Sequence, residues 1–128
     1  MKRLIAIVAG EPNSINSEII AKAWLEKKKL RNFFIIGNYS LLIKQIDRLN
    51  IKVPIIKINN LEDFKKEKKL FILNVPLKFK SIYDISPSNV KKYVFNCFDV
   101  AHNLAIEKKI YGFINAPIDK KIFDNKYL

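Results

Sequence analysis

The sequence predicts an α/β fold, a mostly parallel sheet with helices on both faces. Three observations carry that prediction. Apolar runs of strand length recur along the chain, the first being LIAIVA at 4–9, and each is apolar nearly throughout. Strands buried on both faces read this way, whereas half-exposed strands alternate. Segments of helical periodicity separate the runs, and Gly, Pro or Asn marks most of the boundaries.

The elements follow in order. LIAIVA forms a first strand that stops at Gly10. Residues 17–29 form a helix with Ile19, Ile20, Ala23 and Trp24 on one face and a Lys cluster at its end. Residues 33–36 form a strand ended by the turn pair Gly37-Asn38. Residues 40–49 form a helix, with Leu42, Ile46 and Leu49 spaced by four and three. A strand is expected at 54–58, a short helix or loop at 61–68, and a strand at 70–75 that stops at Pro76. Residues 79–87 read as a loop. The longest helix runs from Ser88 or Asn89 to about Lys109. Its stripe is Val90, Val94, Phe98, Ala101 and Ala105, with Cys97 and Leu104 beside it. A last strand, 111–114, leads into Asn115-Ala116-Pro117 and the start of another helix.

A chain of 128 residues, 49% of them apolar, is about one domain with a real core. It ends a few residues into its last helix, at Lys126-Tyr127-Leu128, without a capping signal. Residues 1–128 are therefore expected to be an incomplete α/β domain. No apolar run approaches the roughly 20 residues of a membrane helix, so no membrane partner is expected. The opening MKRLIAIVAGEP is a buried strand rather than a signal peptide, because Glu11 and Pro12 follow the apolar run with no cleavage site. The single Cys97 excludes an internal disulfide framework, and a cytoplasmic setting is expected. A formal charge of +12 invites a nucleic-acid reading. Yet only three of the 24 basic residues are Arg, the residue that reads bases and forks phosphates. Lys is accompanied by 21 Ile and 13 Asn, a compositional bias rather than a design for a polyanion, so no nucleic acid is expected.

The stretch VAGEPNSINSEIIAKAW, 8–24, raises the first question of chemistry. Gly10 admits backbone angles closed to other residues, and Pro12 ends the strand's hydrogen-bonding ladder. Asn13, Ser14, Asn16 and Ser17 can all cap the helix that follows. Such a turn is either an anion cradle at a helix N-terminus or a plain strand-to-helix turn with good caps. The second strand-end turn, 115–120, holds an equivalent place, beyond the carboxyl end of a strand, where open α/β sheets bind ligands. Known catalytic sets are missing. The one His, His102, and the one Cys lack partners for a metal site or nucleophilic pair, and there is no G-x-G-x-x-G or Walker A motif.

These turns carry a resemblance. The first resembles the opening of the 4-hydroxythreonine-4-phosphate dehydrogenase family, Gly-Asp-Pro-Ala-Gly-Ile-Gly-Pro-Glu-Ile. Gly10, Pro12, Ile15, Glu18 and Ile19 keep that frame, with Glu11 for Asp. The second, Asn115-Ala116-Pro117-Ile118-Asp119-Lys120, is similar to the family's Thr-Ala-Pro-Ile-Asn-Lys. Ile36-Gly37-Asn38 resembles its Ile-Gly-Asp turn, and the helix with Ala101 and Ala105 lies where the family has an alanine-rich helix. Ser14 and Asn16 stand for two family glycines, Ser17 for a proline and Asn115 for a threonine.

The resemblance implies the N-terminal part of a longer, two-domain enzyme with an isocitrate/isopropylmalate-dehydrogenase-like fold, homodimeric when full length. It implies NAD- or NADP-dependent oxidation and then decarboxylation of 4-phosphooxy-L-threonine in pyridoxal phosphate (vitamin B6) biosynthesis. A divalent metal (zinc, magnesium or cobalt) would be held by three histidines that this chain lacks, so neither catalytic nor metal residues are assigned here. The substrate and cofactor cleft candidates are Gly10, Glu11, Pro12, Ser14, Asn16, Asn115, Asp119 and Lys120. A stand-alone phosphate- or nucleotide-binding α/β module is the alternative.

Overall fold

The structure is a computed structural model that describes residues 4–26 and 32–116. Five strands, β1 (Ile5–Val8), β2 (Phe33–Gly37), β3 (Ile55–Ile58), β4 (Leu70–Asn74) and β5 (Gly112–Asn115), form one sheet. The helices are α1 (Asn16–Glu26), α2 (Tyr39–Arg48) and α3 (Pro87–Ile106), with a single 3-10 turn at Leu61–Asp63. The strand order is β3-β4-β2-β1-β5, and every pairing is parallel. The expected α/β class with a parallel sheet therefore holds.

Alternation along each strand sorts the core into two layers. Ala6, Val8, Phe34, Ile36 and Leu73 pack with Val90, Val94, Cys97 and Ala101 of α3. Ile35, Leu70 and Ile72 point the other way, against Ile20, Ala21 and Trp24 of α1 and Leu42 and Ile46 of α2. Cover on both faces explains why β2 and β4 are apolar at nearly every position. The edge strand β5 departs from this pattern, with Phe113 and Ile114 on opposite faces and both exposed.

Helix ends follow the sequence closely. Asn38, in extended conformation, accepts the Leu41 N–H on its side chain and caps α2. Ser86 caps α3 by accepting from the Asn89 N–H, and Pro87 occupies the first turn, where its missing N–H costs nothing.

Three helical stripes differ from expectation. On α1 the buried positions are Ser17, Ile20, Ala21 and Trp24, while Ile19 is exposed. That spacing of three, four and seven is a helix face whose phase is set by packing between the sheet and α2. On α3 the centre of the stripe is Tyr93 and Cys97, with Phe98 and Ala105 only half-buried. Leu49, expected on the α2 stripe, is the exposed C-cap residue.

Candidate functional site

The first loop is built from its own side chains. Gly10, at the end of β1, is buried and takes φ 77°, a left-handed conformation that turns the chain off the sheet. The Ser14 hydroxyl donates to the Glu11 carbonyl at 2.6 Å and accepts from the Asn16 N–H at 3.2 Å. The buried Asn16 amide donates back to the carbonyls of Ala9 (3.2 Å) and Glu11 (3.4 Å). The Glu11 carboxylate accepts the Asn13 N–H at 3.2 Å. Ser14 and Asn16, which stand for family glycines, thus brace the loop from within.

Two further side chains fasten this loop to its neighbours. Gln45 of α2 is almost wholly buried and donates from Nε2 to the carbonyls of Pro12 (2.9 Å) and Ile82 (2.5 Å). Its Oε1 accepts from the Ser17 hydroxyl. Asn13 exchanges two hydrogen bonds with the backbone of Ile85, just before α3. The connections β1–α1 and β4–α3 are thereby locked together through side chains.

Adjacent strands β2 and β4 send their connections to opposite faces, to α2 and α3, which opens a crevice beyond their carboxyl ends. Here the crevice is filled. The Asn38 N–H donates to Tyr93 Oη at 2.8 Å, the Asn38 amide donates to the Val75 carbonyl at 2.9 Å, and Asn74 Oδ1 accepts the Tyr39 N–H at 2.9 Å. Gly37 is required by this closeness, since a Cβ there would lie 2.8 Å from Ala9 Cβ and 2.9 Å from Tyr93 Oη. The cavity left beneath the first loop is only about 20 Å³, the room of one water molecule. A phosphate does not fit under the loop, so a ligand meeting it must lie above it.

Above it, topology brings Asn115 and Ala116, the start of the second sequence-predicted turn, beside the end of β1. Val8 of β1 pairs with Asn115 of β5, and the Ala116 N–H donates to the Val8 carbonyl at 2.9 Å. Gly10 and Asn115 therefore leave the carboxyl ends of neighbouring parallel strands. Asn115 is exposed, while Pro12 and Asn16 are buried as supports. Asp119 and Lys120 lie outside the described residues.

Titratable chemistry is sparse. Burial pushes the Cys97 thiol up to about 12, and burial first, then neighbouring Cys97, holds the Tyr93 hydroxyl well above its ordinary 10.0. Both stay neutral at physiological pH, and a neutral, wholly buried thiol is not a nucleophile. His102 is exposed on α3, and no cluster of three metal-binding side chains occurs among the described residues.

Sequence reasoning missed Asn13, Gln45 and Tyr93 as organisers of this region. Gln45 did leave a signal, being a polar residue between Leu42 and Ile46 on the buried face of α2. Tyr93 lies one helical turn from Val90 and from Cys97, on the same stripe. Asn13 reads in the sequence as a helix cap, and its actual partner, Ile85, lies 72 positions away, where no local pattern points.

A parallel α/β sheet with a glycine turn at one strand end, beside the end of a neighbouring strand, has the framework on which open α/β sheets bind ligands. No protein-family model matches the chain. It is 31% identical, over 98% of its length, to the 4-hydroxythreonine-4-phosphate dehydrogenase of Campylobacter jejuni. The chain spans 38% of the length of that enzyme. Solved structures of 4-hydroxythreonine-4-phosphate dehydrogenases from Klebsiella pneumoniae and Burkholderia phymatum superpose with TM-scores of 0.77 and 0.82. They share 22% and 16% identity with the chain over 94% and 96% of its length, which is 39% and 38% of theirs. In sequence and fold the chain is similar to part of the 4-hydroxythreonine-4-phosphate dehydrogenases.

Proposed function

We propose that this chain supplies one wall of the active-site cleft of a dehydrogenase acting on 4-phosphooxy-L-threonine, with the Gly10 turn and Asn115 at its lip. The supporting observation is the match of 98% of the chain to a relative of that name. NAD or NADP, when bound, would supply the hydride acceptor for the secondary alcohol, whose hydroxyl proton would leave to solvent, and the resulting β-keto acid would lose carbon dioxide.

The chain's own part is positional. Gly10, itself buried, sets the shape of the turn, Asn115 offers an amide that can donate to or accept from a ligand, and Lys120 would supply a cation for the phosphate. The divalent metal does not fit the residues present. The sequence holds one histidine, and no metal-binding cluster lies among the described residues, so no step is derived through a metal here. Homodimerisation and a cytoplasmic setting belong to the same proposal. No helix among the described residues is long and apolar enough to cross a membrane.

The test is reduction of NAD with 4-phosphooxy-L-threonine and a divalent metal, assayed on the chain alone and on the chain joined to the remaining segment of the Campylobacter jejuni relative. Turnover by the joined protein and none by the chain alone is expected. A folded joined protein without turnover would overturn the proposal, as would turnover by the chain alone.

A further inference from the structure

A groove of about 530 Å³, to which no residue of the first loop contributes, lies between the carboxyl end of α3 and the segment that follows β3. Its apolar floor is Leu4, Leu61, Phe64, Leu73 and Leu104. Phe64 is held in place by ring contacts to Phe34 and Phe71, with centroids 6.2 and 5.2 Å apart, so the floor is fixed. The volume is within the range of small-molecule pockets.

The rim is polar and basic. Lys108 and Lys109 line it, with Asn59, Asn60 and one acid, Glu62. Lys109 already faces carboxylates, pairing with Glu107 at 3.0 Å and sensing Glu62. Lys108 makes no ion pair among the described residues. Its backbone is also unusual. The N–H groups of Lys108 and Lys109 donate to the carbonyls of Ala105 (3.1 Å) and Leu104 (2.9 Å), the Schellman closure of a helix. Lys108 sits at the left-handed position of that closure, φ 60°, where glycine is the usual residue. The chain thus carries a long cationic side chain at a position that favours none, at the mouth of an apolar groove.

We propose that this groove binds one amphipathic monoanion of medium chain length, its apolar tail on the Leu61–Phe64–Leu104 floor and its carboxylate at Lys108. Lys108, which makes no ion pair among the described residues, selects the anion over a neutral amphiphile, and the apolar floor selects a tail over a bare phosphate.

Isothermal titration of the 128-residue chain with octanoate tests this, alongside hexanoate, octanol and inorganic phosphate. Saturable binding of one octanoate per chain is expected, with affinity rising about fourfold for each added methylene. Octanol should bind about threefold more weakly, the worth of one exposed charge contact, and phosphate should not bind. Lys108→Gly separates binding from folding. Relief of the left-handed strain should hold or raise the melting temperature, while octanoate affinity falls about threefold. Leu104→Asp should abolish binding. Unsaturable uptake, equal affinity for octanol, or unchanged affinity in a folded Lys108→Gly chain would overturn the proposal. So would sedimentation showing that a second copy of the chain covers the groove.

Discussion

The side-chain amide of Asn13 and the backbone of Ile85 exchange two hydrogen bonds, each 3.0 Å long, across 72 positions of sequence. A side chain here does what a strand neighbour would do, satisfying both polar groups of one residue whose own side chain is buried. The consequence is that the first loop cannot shift without breaking its bond to the start of α3. Asn13→Ala should therefore lower the unfolding free energy by about 1–2 kcal/mol. Gln45→Leu should cost more, about 2–4 kcal/mol, because it strands two carbonyls and the Ser17 hydroxyl in a buried place. Urea unfolding of both variants checks the order. An Asn13→Ala chain more damaged than Gln45→Leu would refute the reading.

The Gly37 contact gives a prediction with a built-in rescue. Alanine at 37 would place a methyl 2.8 Å from Ala9 Cβ and 2.9 Å from Tyr93 Oη, at a point where two strands and α3 converge. Gly37→Ala should destabilise by about 1–3 kcal/mol through overpacking. Ala9→Gly removes one of the two clashes, so the double variant should recover part of the loss. Thermal melts of the single and double variants measure it, and strictly additive losses would show that the close approach is not the cause.

Stability should decline at alkaline pH. The folded chain holds the Cys97 thiol near 12, against an ordinary 9.0, and the Tyr93 hydroxyl well above 10.0. Both values are raised on folding, so the folded state keeps protons that the unfolded chain releases. Their stabilising contribution is complete below about pH 9 and is lost as pH rises toward about 12. Each proton contributes a slope of at most about 1.4 kcal/mol per pH unit in that window. Cys97→Ala should flatten the decline that begins near pH 9 and leave only the part of the Tyr93 contribution that burial causes. An unchanged profile in Cys97→Ala would contradict the assignment.

Local signals made the framework legible. The apolar runs, Gly10, Gly37-Asn38 and Pro76 mark the strand ends, because each acts on its own stretch of backbone. What escaped was long-range. The phase of α1 turns on Ala21 rather than Ile19, since burial depends on where α2 and the sheet lie and not on hydrophobicity alone. In the candidate site, Gly10 and Asn115 were legible as strand-end turns, and their adjacency follows only from β1 pairing with β5. Asn16 and Ser14 read as ligand candidates, and their hydrogen bonds brace the loop. The clamps by Asn13 and Gln45 have partners 28 to 72 positions away, which no local pattern encodes.

If the paired ends of β1 and β5 form a wall of the cleft, Asn115→Ala must impair turnover without harming the fold. Asn115 is exposed, so its replacement leaves the fold's supports intact. The measurement is kcat/KM for 4-phosphooxy-L-threonine in the joined protein, with a thermal melt of the same preparation. An unchanged melt and a fall of about tenfold, the worth of a hydrogen bond to a charged ligand, are expected. An Asn115→Ala protein with unchanged melt and unchanged kcat/KM would contradict it.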